Sequence, residues 1–202
     1  MKSFKHFDAH TLEEAIKLLE KFDGSAKIIA GGTDILGAIK DNIYDGPEAL
    51  INIKTITGLN YIKEENDVLK IGALTLLEDI AHDPLVLSKY SALAQATRYT
   101  ASPHIREMGT IGGNICQDCR CWYYRCKDNR FNCARKGEED CFAEEGDNRY
   151  HSIFGDVKDC LAVHPRDTAP ALIVLGAKAK TSKRTIEMSD FYQDEDPKKF
   201  SV

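Results

Sequence analysis

All seven cysteines of this 202-residue chain lie between Cys116 and Cys160. Their spacing is irregular, and the residues between them are mostly polar or charged. Such a segment cannot order itself by burying apolar side chains. A chain of this length does not need disulfides for stability, and an odd number of cysteines leaves one thiol unpaired. The crowding therefore indicates metal ligation in a reducing compartment.

The identity of the metal stays open from the residues alone. Zinc usually takes two close Cys-x2-Cys pairs or a mixed Cys and His set. The pair Cys116 and Cys119 has this spacing, and His151 and His164 can complete a mixed set. Four thiolates from a widely spaced loop suit an iron–sulfur cluster equally well.

Charge and hydropathy exclude several classes of partner. The formal net charge of −5 and the pI near 5.7 argue against nucleic acid, because binding a phosphate backbone needs a basic face. No run of about 18 apolar residues is present to span a membrane, and the N-terminal residues lack the apolar run of a signal peptide. No Ser-His-Asp or paired-carboxylate pattern indicates a hydrolase. We therefore expect a cytoplasmic protein.

Apolar strand patterns alternate with helical patterns through the first half of the chain. A helix begins after Thr11, where Glu14 is placed to complete a capping box. This alternation predicts a small parallel sheet followed by a hairpin and helices, with a break near Gly58, and hence an α+β fold. The segments are strands at 4–7, 27–30 and 49–53, a hairpin at 61–71, one or two helices at 84–101, a loop from 102 and a hairpin at 178–187.

Glycine turns interrupt these elements at several points. The strand at 27–30 runs directly into Gly31-Gly32-Thr33-Asp34, after which helical spacing resumes. Free N–H groups in such a turn can bind an anion such as a pyrophosphate. The alternative, which we prefer for an isolated motif, is an ordinary tight turn with Thr33 or Asp34 as N-cap. Gly72-Ala73 poses the same choice between a ligand contact and a loop.

Asp167 precedes the apolar run at 168–175. Its position predicts either the N-cap of a helix or a carboxylate that accepts hydrogen bonds from a ribose. The chain then ends in a polar segment, residues 194–202, without an evident closing element.

Four stretches in this order resemble the flavoprotein subunit of the molybdenum hydroxylase (xanthine dehydrogenase) family. They are Ala30–Ile35, Ile71–Thr75, Gly109–Asn114 and Asp167–Leu172. The resemblance implies a two-lobed FAD-binding fold, with a small lobe at 1–58 and a larger lobe at 59–202. It reverses the preference for an ordinary turn at residues 31–34.

The resemblance also implies the cofactor contacts. The first stretch would cradle the pyrophosphate, the third would contact the flavin half, and Asp167 would lie near the ribose. The residues assigned to FAD in this way are Ala30, Gly31, Gly32, Thr33, Asp34, Ile35, Gly72, Ala73, Thr110, Gly112, Gly113, Asn114 and Asp167.

The cysteine segment, residues 115–165, resembles the insertion that distinguishes the 4-hydroxybenzoyl-CoA reductase branch of this family and binds a [4Fe–4S] cluster. The match rests on the run from Asp118 to Tyr124 and on the spacing of the later thiols. It implies the ligands Cys121, Cys133, Cys141 and Cys160, and leaves Cys116, Cys119 and Cys126 spare. Cys119 departs from the family pattern, and it, Cys116 or Cys126 is an alternative ligand, with Cys121 the assignment most open to replacement.

The function implied by the resemblance is electron transfer between the cluster and FAD. The implied partners are a molybdenum-cofactor subunit, a [2Fe–2S] subunit and a ferredoxin-like donor, and the implied reaction is reductive dehydroxylation of 4-hydroxybenzoyl-CoA or a related aromatic. One alternative is a hydroxylase whose electrons leave to NAD or a quinone. Another is a structural module that is held together by a zinc site and whose glycine loops are only turns. The family's C-terminal domain is expected to be absent.

Overall fold

The computed structural model describes residues 2–156 and 158–192. The polar segment at 194–202 lies outside the described residues. The chain has the expected α+β character. Its elements are β1 (Lys5–Asp8), α1 (Leu12–Lys21), β2 (Ala26–Ile29), α2 (Ile35–Lys40), β3 (Ala49–Asn52), β4 (Ile62–Glu65), β5 (Val68–Ile71), α3 (Leu77–His82), α4 (Pro84–Lys89), α5 (Ser91–Arg98), α6 (Pro103–Arg106), α7 (Ile111–Ile115), α8 (Phe142–Glu145), α9 (Thr168–Val174), β6 (Lys178–Lys180) and β7 (Thr185–Glu187).

The first three strands form a parallel sheet in the order β1-β3-β2, which confirms the sheet expected from the alternating pattern. β3 is the central strand, and Ala49, Leu50 and Ile51 are all buried. A strand buried on both faces needs such a continuous apolar run. The core of this part of the chain gathers Ala9, Ala15, Ala26, Ala49, Ile51 and Ile56.

The start of α1 confirms the predicted capping box. The backbone N–H of Glu14 donates to the Thr11 hydroxyl at 3.1 Å. The Glu14 carboxylate accepts a hydrogen bond from the N–H of His10 at 2.8 Å, one residue earlier than the usual partner in this motif. Both ends of the box are therefore satisfied.

The antiparallel hairpin β4–β5 begins the next part of the chain, again as expected. Helices α3, α4 and α5 follow, so the region predicted as one or two helices contains two. Their buried faces form a second core with α7, made of Leu77, Ile80, Val86, Leu93, Ala94 and Ile111. The C-terminal hairpin, β6–β7, is also confirmed.

Two local expectations were wrong. The segment from Ser102 is not a loop, because the Ser102 hydroxyl accepts the Ile105 N–H at 3.4 Å and Pro103 occupies the first turn of α6. The glycine stretch after Thr110 is helical, since the Thr110 hydroxyl accepts the Gly113 N–H at 3.1 Å and starts α7. Both helices depend on a hydroxyl cap.

The cysteine segment is largely irregular, with short 3-10 turns at Lys127–Asn129 and Ala134–Lys136 and the single helix α8. It packs on the region around α2 rather than standing apart. A third cluster of buried side chains joins them: Ala38, Ile43, Cys119, Tyr124 and Cys133. Within residues 2–156 and 158–192, no helix has the length and apolar character needed to cross a membrane.

Candidate functional site

The glycine turn after β2 lies directly against the segment that follows α6. A Cβ atom added to Gly31 would stand 1.9 Å from the carbonyl oxygen of Met108. Such a contact is impossible, so only glycine allows the two backbones to approach this closely. Thr33 lies beside Gly109 in the same contact. Two of the four stretches named above are thus brought together.

The second stretch, Ile71–Thr75, joins them through backbone hydrogen bonds. The N–H of Gly112 donates to the Ala73 carbonyl at 3.0 Å, and the N–H of Ile111 donates to the Thr75 carbonyl at 2.9 Å. In the opposite direction, the N–H of Leu77 donates to the Gly109 carbonyl at 2.9 Å. Residues 73–77 and 109–112 therefore form one hydrogen-bonded pair of segments.

The fourth stretch is attached by a buried side-chain hydrogen bond. The Thr168 hydroxyl donates to Oδ1 of Asn114 at 2.5 Å, 54 residues away along the chain. Thr168 is fully buried and Asn114 is nearly so. The bond fixes α9 against α7, so all four stretches meet at one junction, which we call the glycine junction.

Asp167 occupies the residue before α9, as predicted, but its side chain forms no capping hydrogen bond with that helix. The carboxylate is exposed. Asp167 therefore occupies the N-cap position, but its side chain does not cap the helix. An exposed carboxylate beside the glycine junction remains available to a ligand.

The backbone of the glycine turn at residues 31–34 offers hydrogen-bond donors. In the described part of the chain, the N–H groups of residues 31–34 donate no hydrogen bond to another described residue. The turn is only partly buried, so these N–H groups are accessible to an anionic ligand. Their chemistry fits a pyrophosphate.

The sequence predicted that Asp34 either belongs to a pyrophosphate-binding turn or caps α2, but its carboxylate makes other contacts. Its carboxylate does not cap α2. It accepts hydrogen bonds from Arg120 Nη1 at 2.8 Å, from Arg125 Nη2 at 2.9 Å and from the N–H of Asp118 at 3.2 Å. The side chain therefore binds the cysteine segment, and Asp34 contributes only its backbone to the turn at 31–34. No local pattern in the sequence signals these long-range pairs.

The cysteine segment surrounds a small, partly open cavity. We call it the thiol cavity. Five of the seven cysteines line it: Cys119, Cys121, Cys133, Cys141 and Cys160. The four cysteines assigned as ligands are all among them, together with the alternative Cys119. Cys116 and Cys126 are not among its lining residues.

Burial dominates the chemistry of several of these thiols. It raises the pKa of Cys119 to about 12. Burial also raises the pKa of Cys121, and the backbone N–H groups of Tyr124 and Tyr123 oppose that rise by pointing at its sulfur. Burial likewise raises the pKa of Cys133, while the N–H groups of Arg135 and Lys136 and the charge of Lys136 lower it. Cys121 and Cys133 thus sit where a thiolate finds donors.

The two histidines considered as zinc ligands are placed differently. Nε2 of His151 lies 3.2 Å from the sulfur of Cys121, whereas the His164 ring packs on Tyr192 at 4.4 Å between centroids. In residues 2–156 and 158–192, no three His, Cys, Asp or Glu side chains are close enough together to hold a single metal ion.

Aromatic side chains close the thiol cavity. Tyr123, Tyr124 and Phe142 line it. The Tyr123 and Phe131 rings meet edge to face at 5.2 Å, and Phe131 meets Phe142 at 5.0 Å. These rings pack the segment around the thiols.

Comparison with known proteins places these features in a family. Residues 2–200 match the family described as the FAD binding domain in molybdopterin dehydrogenase. The FAD-binding subunit PaoB of an aldehyde oxidoreductase from Escherichia coli (strain K12) is 35% identical over 199 residues, which are 95% of this chain and 61% of that protein. This alignment therefore runs through the cysteine segment.

Other relatives match a shorter part. The FAD subunit of nicotinate dehydrogenase from Eubacterium barkeri is 42% identical over 116 residues, 57% of this chain and 39% of that one. A solved structure of carbon monoxide dehydrogenase from Hydrogenophaga pseudoflava, which lacks the Mo-pyranopterin moiety of its cofactor, superposes with a TM-score of 0.55 at 36% identity. It covers 57% of this chain and 40% of that chain.

The chain thus spans 61% of the first relative and 39% of the second. The family match covers nearly every residue, including all four stretches of the glycine junction and the whole cysteine segment. It favours FAD binding over the alternative in which the glycine loops are only turns. The chain belongs to the family of FAD-binding domains of molybdopterin dehydrogenases.

Proposed function

We propose that this chain is the electron-transfer subunit of a molybdenum-containing oxidoreductase, with FAD at the glycine junction and a [4Fe–4S] cluster in the thiol cavity. The observation that carries the proposal is the convergence of five thiols on one cavity, linked through Asp34 to the glycine junction. Bound there, the flavin exchanges electrons singly or in pairs and the cluster exchanges them one at a time.

The glycine junction supports the FAD site by its geometry. Its turn at 31–34 offers backbone N–H groups, and Gly31 permits the close approach to Met108. Thr110 and Asn114 are buried in the stretch assigned to the flavin half, and Asp167 presents a carboxylate at the edge. In this proposal the lobes 1–58 and 59–202 face each other across the cofactor.

The thiol cavity supports a cluster by its donor set. We propose Cys121, Cys133, Cys141 and Cys160 as ligands, because all four line the cavity and their spacing follows the family insertion. Backbone N–H groups are directed at the sulfurs of Cys121 and Cys133, as suits bound thiolates. Cys119 remains the alternative to Cys121.

Asp34 holds the two sites next to each other. Its carboxylate joins the pyrophosphate turn to Arg120, Arg125 and the Asp118 backbone. Arg125 also donates through Nε to the Cys119 carbonyl at 2.7 Å. The route from the cofactor turn to the thiol cavity is therefore one continuous set of hydrogen bonds, which keeps the separation of the two sites constant.

The rest of the complex is proposed from relatives. The carbon monoxide dehydrogenase relatives are named as medium chains, and we propose that this chain likewise works with a molybdenum-cofactor subunit and a [2Fe–2S] subunit. A ferredoxin-like protein would donate electrons if the reaction is reductive dehydroxylation of 4-hydroxybenzoyl-CoA or a related aromatic. That substrate class rests on the cysteine spacing alone.

A second candidate reaction runs in the oxidative direction, with electrons leaving to NAD or a quinone. The alignment with the aldehyde oxidoreductase subunit favours it, since this relative matches across the cysteine segment as well as the glycine junction. The two candidates use the same two sites in this chain. They differ in the substrate on a partner subunit and in the direction of electron flow.

The ligand set is tested by serine variants of the full chain, purified without oxygen and assayed for iron and flavin. Cys133→Ser and Cys141→Ser are expected to lose iron and keep flavin. Cys126→Ser is the matched control, because Cys126 lies in the same segment outside the cavity lining, and it is expected to keep both. Full iron in the first two variants would overturn the ligand assignment.

A further inference from the structure

His151 contacts the sulfur of Cys121, one of the thiols that line the thiol cavity. Its Nε2 atom lies 3.2 Å from the Cys121 sulfur, and the residue is 8% exposed. The imidazole packs between aromatic rings, with centroids 5.7 Å from Trp122 and 6.1 Å from Tyr123. The ring is therefore buried with one nitrogen directed at a proposed cluster ligand.

Trp122 and Tyr123 fix the backbone that carries this histidine. Both donate to the Asp147 carbonyl oxygen, from Trp122 Nε1 at 3.0 Å and from the Tyr123 hydroxyl at 3.2 Å. Gly146 allows this approach, since a Cβ there would stand 2.3 Å from the Tyr123 hydroxyl. The turn before His151 is thus attached to the two residues that follow Cys121.

The other side of the histidine is attached to the segment of another proposed ligand. The N–H of Ser152 donates to the Leu161 carbonyl at 2.9 Å, next to Cys160. His151 is therefore held between the backbones that carry Cys121 and Cys160. Its Nδ1 atom is buried and has no hydrogen-bond partner within the described residues, so the Cys121 contact is the polar interaction of the ring in that part of the chain.

We infer that His151 is a positioning residue that donates an Nε2–H hydrogen bond to the Cys121 sulfur and so raises the reduction potential of the metal group bound there. This inference rests on the proposed function, because it requires Cys121 to be a cluster ligand. A ligating thiolate has no proton and acts only as an acceptor, so the nitrogen facing it carries the hydrogen.

The direction of the effect follows from electrostatics. Hydrogen bonds to the sulfurs are among the factors that set the potential of an iron–sulfur cluster. A donor withdraws electron density from the sulfur and stabilises the reduced state, which carries one more negative charge. Loss of the donor therefore shifts the potential to a more negative value without removing iron.

The test uses three variants of the full chain, purified without oxygen. His151→Phe keeps an aromatic ring beside Trp122 and Tyr123 but has no donor, and His151→Gln keeps an N–H donor at a similar reach. His104→Phe is the control, since His104 is exposed on α6. Iron and flavin are assayed in each sample, and the cluster potential is measured by dithionite titration followed by electron paramagnetic resonance.

We expect the Phe variant to keep its iron and show a lower potential, with the Gln variant restored toward the wild-type value and the control unchanged. An unaltered potential in His151→Phe would overturn the inference and leave the cluster intact. Loss of iron from a folded His151→Phe chain would overturn it in favour of His151 as a ligand. Wild-type protein without iron would overturn the cluster itself, and the inference with it.

Discussion

The Asp34 carboxylate lies 2.9 Å from Nη2 of Arg125, 91 residues further along the chain. Asp34 belongs to the turn proposed for the FAD pyrophosphate, and Arg125 lies between cysteines of the cysteine segment. Both side chains are about one-fifth exposed. This pair joins the two proposed cofactor sites, so a change at one site is expected to reach the other.

Arg125 is expected to matter more than Arg120, although both contact Asp34. Both arginines donate to the Asp118 carbonyl, but the Arg125 side chain is only 21% exposed and also donates to the Cys119 carbonyl. Hydrogen bonds that involve a charged group contribute about 1.5–3 kcal/mol. The Arg120 side chain is 47% exposed, and exposed ion pairs contribute roughly 0–1 kcal/mol. Urea unfolding should therefore show a loss of about 2 kcal/mol in Arg125→Met and less than about 1 kcal/mol in Arg120→Met. Equal losses would contradict the assignment of Arg125 as the main link.

Gly31→Ala is expected to disrupt the glycine junction. The new methyl group would collide with the Met108 carbonyl, and overpacking of this kind costs about 1–3 kcal/mol. Purified Gly31→Ala protein should have a lower melting temperature and little bound flavin. Gly37→Ala is the matched control in the adjoining α2, where a Cβ meets nothing within 4 Å.

The control variant Gly37→Ala is expected to gain a little stability. Alanine in a helix is favoured over glycine by about 0.5–1 kcal/mol, so Gly37→Ala should melt slightly higher and keep its flavin. Normal flavin content in Gly31→Ala would show that the close backbone approach is not needed for the cofactor.

Thr168 is expected to support the flavin half of the site through Asn114. Thr168→Val leaves the buried Asn114 oxygen without its donor, which costs about 1–3 kcal/mol. Thr168→Ser keeps the hydroxyl and should lose only about 0.8 kcal/mol for the missing methyl group. Thermal unfolding and an FAD titration of both variants measure the difference. Similar FAD affinity in the two would contradict a role for this hydrogen bond.

Alkaline pH should weaken the packing of the cysteine segment on the α2 region. Burial, together with the charges of Asp118 and Asp34, raises the pKa of Tyr44 from 10.0 to about 12. The folded chain therefore holds this proton more tightly than the unfolded chain. The resulting stability is fully present below pH 10 and is lost as pH rises toward 12, with an upper limit of roughly 2–3 kcal/mol.

Tyr44→Phe removes that titration and should flatten the fall in unfolding free energy between pH 10 and pH 12. Tyr99→Phe is the control, because Tyr99 is 82% exposed. Parallel pH profiles for wild type and Tyr44→Phe would show that the phenol does not contribute.

Local chemistry made much of the fold predictable. Thr11 and Glu14 have the spacing of a capping box, and the apolar run at 49–53 predicted a strand, which the structure shows at the centre of the parallel sheet. The glycine stretches were recognisable because each one interrupts a run of strand or helix spacing. Elements of this kind depend on residues close together in the chain.

Long-range pairs were not predictable. Nothing near Asp34 indicates that its carboxylate binds Arg125 rather than its own helix, and nothing near His151 indicates which thiol it faces. Asp167 has the right type and position for an N-cap, yet its side chain does not cap α9. In each case the contacts of the side chain depend on tertiary packing, which the neighbouring sequence does not reveal.

Whether this chain holds FAD and an iron–sulfur cluster side by side can be decided on one sample. The chain is purified without oxygen, its visible spectrum is recorded, and flavin, iron, sulfide and zinc are assayed together. We expect flavin with about four irons and matching sulfide per chain. Flavin without iron, or zinc in place of iron, would contradict the proposed cluster in the thiol cavity.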